Sequence, residues 1–149
     1  MPLITVKAQI RVSRKISALR QTKVAAAAAM RNSRRLIFIK YWLPVVSYGI
    51  FIFFVSSIPG KNVPSLFLYQ DIVFHFLEYA VFALLINRAI KGCCYRLSRF
   101  KRLSWVLVLA FTYALFDEFH QSFVPGRTAS IFDIAIDAIG SLIGGLLRR

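Results

Sequence analysis

Hydrophobic positions gather into four long stretches, approximately Leu36 to Ile58, Ile72 to Ile90, Leu103 to Phe123 and Ile131 to Leu147, separated by short polar segments. At about 1.5 Å of rise per residue, helices of this length approach the roughly 30 Å of bilayer hydrocarbon, so the pattern predicts four transmembrane helices. Polar residues in the last three stretches recur at spacings of three and four, which is the helical repeat. Asp71, His75 and Glu78 fall on one face of the second helix. Tyr113, Asp117, His120 and Gln121 share a face of the third, whereas Glu118 is rotated by roughly 100° toward a different neighbour. Asp133, Asp137 and Ser141 follow each other at intervals of four on the fourth.

One ionised carboxylate at mid-helix costs about 2.5 to 3.5 kcal/mol when exposed to lipid, so these stripes should face each other, water or a ligand. The simplest geometry is a shared, inward-facing polar pocket. Gly140 and Gly144 form a GxxxG pattern, which Ser141 and Gly145 repeat one step later, and this small-residue spacing predicts close helix contact.

Composition places the chain in the bilayer: 58% of its 149 residues are hydrophobic and 17% are charged. A net charge of +14 would suggest nucleic acid in a soluble protein. Here the cations lie between apolar runs, with ten up to Lys40, six from Arg88 to Arg102 and two at Arg148 and Arg149. Only Lys61 and Arg127 fall in the other two loops. The positive-inside bias then makes both termini and the middle loop cytoplasmic, with 58–69 and 124–130 facing outward. The expected fold is an all-α membrane protein: a four-transmembrane-helix bundle with both termini cytoplasmic and a polar pocket in its outer half. Nucleic acid is not an expected partner. Tyr41, Trp42 and Trp105 fall where interfacial aromatic rings are favoured. Cys93 and Cys94 are adjacent, lie in the expected cytoplasmic loop and read as reduced and structural.

Residues 1–35 form a basic N-terminal segment and 36–149 the membrane domain. The first 29 residues contain no acid and include the run "VAAAAAM". Three readings stay open: a cleaved transit peptide, an inner-surface helix held by anionic lipid, and a start that belongs at Met30 instead of Met1.

All six acidic residues and both histidines lie between Asp71 and Asp137. Six negative charges against Lys61 and Arg127 imply protonated carboxyls, a bound cation, or both. "PGR" at Pro125 to Arg127 is a chain-reversing turn, and its arginine is either a counter-ion or a fork for a phosphate or carboxylate ligand. No closed HExxH-type signature is present, so no metal ligands are assigned. The cofactor is left open, with a divalent metal near His75 and Glu78 or Asp117 and His120 as the secondary reading.

The stretches "SSIPG", "DIVFHFLEYAVFALL" and "DEFHQSFVPGRTASIFDIAIDAIG" resemble the VanZ-like family of small bacterial membrane proteins. That family's pattern runs approximately S-x-P-G, D-K-x-x-H-F-x-x-Y, D-E-x-x-Q-x-F-x-P-G-R and D-x-x-A-N-x-x-G. The resemblance covers residues 56–144 and puts the family's polar positions on Asp71, His75, Tyr79, Asp117, Glu118, Gln121, Arg127 and Asp133. Ile72 stands where the family usually has Lys, Ile136 where it has Ala and Asp137 where it has Asn, which makes this pocket more acidic than the pattern. The resemblance implies the bacterial cytoplasmic (inner) membrane and a link to resistance against glycopeptides such as teicoplanin. A proposed wider relationship is to membrane enzymes that process lipid head groups and lipid-linked wall precursors.

The candidate catalytic residues are therefore Asp71, His75, Asp117, Glu118 and Asp133, and the candidate substrate contacts are Arg127, Gln121, Tyr79, Glu78, Asp137 and His120. The favoured reading is an enzyme acting at the outer leaflet on a membrane lipid or lipid-linked envelope precursor. Arg127 would hold phosphate, a carboxylate would act as base or hold a cation, and His75 would exchange a proton. The alternative is a protein that binds or shields a precursor or antibiotic without turnover. A proton-coupled transporter ranks third, because the polar residues are one-sided and no inverted repeat is evident. Nothing in the sequence sets the oligomeric state.

Overall fold

In a computed structural model, which describes residues 3–64, 66–94 and 96–147, every regular element is helical. Met1, Arg148 and Arg149, which enter the start-site and charge arguments above, lie outside the described residues. The chain divides into two units, Met1–Ile37 and Phe38–Arg149. The first is carried by helix α1 (Leu3–Tyr41), whose alanine run is the strongest helix former available. The second contains the end of α1 together with α2 (Leu43–Ser56), α3 (Gln70–Cys93), α4 (Arg99–Gln121) and α5 (Ile131–Leu147).

The boundaries differ from the apolar pattern for identifiable reasons. The stretch expected as one helix from Leu36 is interrupted at Trp42, because Pro44 has no amide hydrogen for the carbonyl four residues earlier. Helix α4 starts at Arg99, four residues before the apolar run, because Ser98 caps it by accepting a hydrogen bond from the Lys101 amide at 3.4 Å. Helix α3 starts at Gln70, which anchors the preceding loop: its side chain accepts from the Leu66 amide at 2.6 Å and donates to the Pro64 carbonyl at 2.8 Å.

Three helical stretches, Leu19–Ser56, Gln70–Cys93 and Arg99–Gln121, are long and apolar enough to cross a membrane. Helix α5, at 17 residues, covers about 25 Å. The unit of residues 38–149 is apolar outside and polar within. Phe54, Leu77, Phe116 and Ile139 are exposed, while Asp117, Glu118 and Asp137 are buried at 1%, 3% and 0% exposure. That inversion suits hydrocarbon as the surrounding solvent, and the chain is an all-α membrane protein.

Helix α5 lies directly on α3. A Cβ at Gly140 would collide with the Phe76 carbonyl, and one at Gly144 with the Ala80 carbonyl, so the GxxxG pattern does bring two backbones together. At one end of the bundle, the loops carrying "SSIPG" and "VPGR" interlock. The Gly60 amide donates to the Pro125 carbonyl at 3.1 Å, and a side chain at Gly60 would strike the Gly126 carbonyl. Gly126 itself has φ of 76°, a backbone region that favours glycine.

A second polar cluster lies toward the other end of α3, where the one-sided pattern of polar residues predicts none. Buried Asn87 donates to the Gly145 carbonyl at 2.7 Å and accepts from Arg102 Nε at 2.8 Å, joining α3, α5 and α4. Replacing Asn87 with leucine leaves both partners unmet and is expected to cost about 1 to 3 kcal/mol, read as a lower unfolding temperature in detergent micelles.

Candidate functional site

The three predicted stripes converge. On α3, Asp71, His75 and Tyr79 succeed each other at intervals of four, running from exposed Asp71 to fully buried Tyr79. Facing them from α5 is Asp137, whose Oδ1 lies 3.0 Å from His75 Nδ1. This buried pair joins residues 62 apart in sequence. Asp137, a departure from the resembled pattern, is thus the residue that orients His75.

Helix α4 supplies the third wall. Asp117 Oδ2 accepts from Gln121 Nε2 at 2.9 Å, one helical turn later, and the same amide reaches Ser56 Oγ on α2 at 3.4 Å. Glu118 does turn to a different neighbour: its Oε2 accepts from the Ser130 amide at 2.7 Å. Ser130 Oγ in turn accepts from the Phe132 and Asp133 amides at 3.1 and 3.4 Å, capping α5. Glu118 therefore fixes where α5 begins, and with it the register of Asp133 and Asp137.

Hydrogen bonding inside this layer is incomplete. Tyr79 Oη, Asp117 Oδ1, Glu118 Oε1, Asp137 Oδ2 and Ser141 Oγ are buried without a partner among the described residues. Buried polar atoms are normally paired, so five such atoms in one layer mark a region built for more than packing.

Two cavities adjoin the layer. The first, about 430 Å³, has an apolar wall that includes Phe51, Val55, Phe74, Leu77 and Val81, together with Tyr48 and Glu78. The second, about 340 Å³, is polar and includes Gln70, Thr128 and Asp133. Asp71, His75, Gln121 and Arg127 line both, so a molecule with an apolar body and a polar head can lie across the two.

Not every candidate reaches this space. His120 is turned toward α2, where its Nε2 lies 2.9 Å from Ser57 Oγ and its ring stacks on Phe53 at 4.3 Å between centroids. It fastens α4 to α2, and it lines neither cavity. Asp117 and Tyr79 lie behind the cavities and do not line them, whereas Asp133 is half-buried at the polar one. Arg127 is anchored on α2. Its Nε and Nη2 donate to the Ile58 and Val55 carbonyls at 3.2 and 3.4 Å, at the C-terminal end of α2, where a cation is favoured by the helix dipole. Among the described residues it forms no ion pair, so its charge remains available to the cavities it lines.

Gln70, Ser56 and Tyr48 also line these cavities without having been singled out from the sequence. Ser56 opens the "SSIPG" stretch, and its position at the end of an apolar helix was the available signal.

A sequence model of the VanZ/LLP1 family matches residues 24–149. The chain belongs to the VanZ/LLP1 family. No curated protein and no solved structure matches it. Every motif that carried the resemblance lies inside the matched span, and in this VanZ/LLP1 protein those motifs gather at one end of the bundle. "SSIPG" and "VPGR" form the interlocked rim, while Asp71, His75, Gln121 and Asp133 line the cavities behind it.

Proposed function

We propose that this protein binds a membrane amphiphile whose apolar part lies along Phe51, Val55, Phe74, Leu77 and Val81, and that it processes the polar head group. The observation carrying the reading is the paired cavity, apolar on one side and polar on the other, with Asp71, His75, Gln121 and Arg127 common to both. A lipid head group or lipid-linked envelope precursor has that division of polarity. Arg127 holds an anionic group, phosphate or carboxylate, since its Nη1 has no protein partner among the described residues. His75, oriented by Asp137, moves protons, the role that the sequence suggested for it. Asp71 and Asp133 contact the head group's donors at the polar cavity.

The distribution of cations supports a four-span topology with cytoplasmic termini, which puts the cavities at the outer leaflet of a bacterial inner membrane. An altered envelope lipid then supplies a route to the glycopeptide tolerance implied by the family resemblance. The second reading, a protein that holds the amphiphile unchanged, is favoured by the apolar wall, which grips a chain without any chemistry.

The test is mass spectrometry of envelope lipids from cells carrying the intact protein, none, or Arg127→Gln. The enzyme reading expects a modified lipid with the intact protein and at least a tenfold loss with Arg127→Gln. Loss of the α2 cap should cost only about 0.3 to 1 kcal/mol, so that variant should stay folded. Identical lipid profiles, with an unmodified lipid co-purifying with the protein, favour the binder; identical profiles with no lipid retained overturn both.

A further inference from the structure

The geometry points to a divalent-cation site formed by His75, Glu118 and Asp137, a second function of the polar layer that does not depend on which lipid the cavities take. One ligand atom from each of the three residues lies within 4.8 Å of the others, and all three side chains are buried. They come from α3, α4 and α5, so the site exists only when these helices are assembled. Sequence spacing pairs His75 with Glu78 and His120 with Asp117, and neither pairing is the set that the fold assembles.

Two further observations point to an ion at this place. Glu118 uses Oε2 on the Ser130 amide and Asp137 uses Oδ1 on His75, yet Glu118 Oε1 and Asp137 Oδ2 are both buried with no partner. Glu118 thus has one oxygen holding its position and one left over, as supported metal ligands do, while an ion taken by His75 Nδ1 and Asp137 would replace the hydrogen bond between them, with the ring proton on Nε2. Charge gives the second observation. Asp117, Glu118 and Asp137 are all buried, and among the described residues Arg127, the cation lining both cavities, forms an ion pair with none of them. Buried carboxylates without compensation are strongly unfavourable. A divalent ion on one neutral imidazole and two carboxylates makes the three-residue set electrically neutral and meets both open valences.

The donor set selects among ions. One nitrogen and two carboxylate oxygens suit Zn²⁺, Mn²⁺ or Fe²⁺, whereas Ca²⁺ prefers six to eight oxygens and Mg²⁺ keeps most of its water. Of the three, His75 lines both cavities, while Glu118 and Asp137 line neither.

The experiment uses the full chain, tag removed, purified in detergent micelles and stripped with chelator, then titrated separately with Zn²⁺, Mn²⁺, Mg²⁺ and Ca²⁺. Retained metal is measured after gel filtration, and unfolding temperature is followed by tryptophan fluorescence. The expected result is one tightly retained Zn²⁺ or Mn²⁺ per chain with an unfolding temperature several degrees higher, and a weaker response to Mg²⁺ and Ca²⁺. Glu118→Gln and Asp137→Asn should each weaken ion affinity at least about 100-fold. Each ion-free variant should unfold near the temperature of the ion-free parent, because the amide keeps an acceptor oxygen for the Ser130 amide or for His75; a carboxylate whose charge the fold itself needs would give a clearly lower temperature. Failure of the parent protein to retain any of the four ions overturns the site, whatever the variants do. Retention by both variants at parental affinity overturns it as well.

Discussion

Replacing His75 with alanine is expected to abolish the proposed head-group processing and to destabilise the helical bundle by about 1 to 3 kcal/mol, the cost of leaving a buried hydrogen-bonding group without its partner. Asp137 is fully buried, and His75 is the partner of its Oδ1. Without the imidazole, both oxygens of Asp137 are unpaired in a layer that already holds Asp117 and Glu118. Since domains are stable by only about 5 to 15 kcal/mol, a loss of this size is a large share of the total. A double variant, His75→Leu with Asp137→Leu, separates the two consequences. An apolar pair removes the buried charge together with its partner, so thermal stability should return toward the parent while lipid processing stays absent. If His75→Ala unfolds at the parental temperature, the pair is not the support assigned to it. If the double variant still alters lipid, His75 is not the proton carrier.

Gly144→Ala is the second change with a large expected effect, although it adds only one methyl group. That methyl would collide with the backbone carbonyl of Ala80, which has no rotamer to change, so α5 must move off α3. Overpacking of this kind costs about 1 to 3 kcal/mol, and a rigid neighbour puts the result near the upper end. Because Asp137 and Gly144 share α5, the displacement should also lengthen the His75–Asp137 contact and reduce processing. Gly145→Ala is the control one position further. Its added methyl would meet Leu103 Cδ1 at 2.8 Å, the end of a side chain that can turn away, so its cost should be small. Thermal unfolding of both variants in the same micelles checks the contrast. Equal effects would show that general crowding of α5, and not contact between two backbones, sets the cost.

Much of the helical scaffold was legible before any coordinates. The stretches around α3, α4 and α5 are apolar enough, and their polar residues regular enough, that helix and inward face both follow from periodicity. Several placements within that scaffold were not. His120 is three residues from Asp117 and next to Gln121, which reads as one polar face, yet α2 lies on its side of α4 and takes it up through Ser57 and Phe53. Arg127 reads as a counter-ion or as a fork for an anionic ligand, and nothing in residue order shows that α2 ends beside it and offers two open carbonyls. Asn87, a single polar residue inside an apolar run, gave no pattern and turned out to join three helices.

From residue order alone came the membrane character, the helical repeat, the acids confined to 71–137 and the small-residue face that seats α5 on α3. These are properties of one segment at a time, set by side-chain chemistry and by the 3.6-residue turn. Only the tertiary structure decided that His75 meets Asp137, that Glu118 pins Ser130, and that His75, Glu118 and Asp137 come within reach of one ion. Each of those contacts depends on how far a helix is rotated about its own axis against its neighbours. That rotation is set by packing, here by glycine carbonyl contacts and interlocked loops, between residues far apart in the chain.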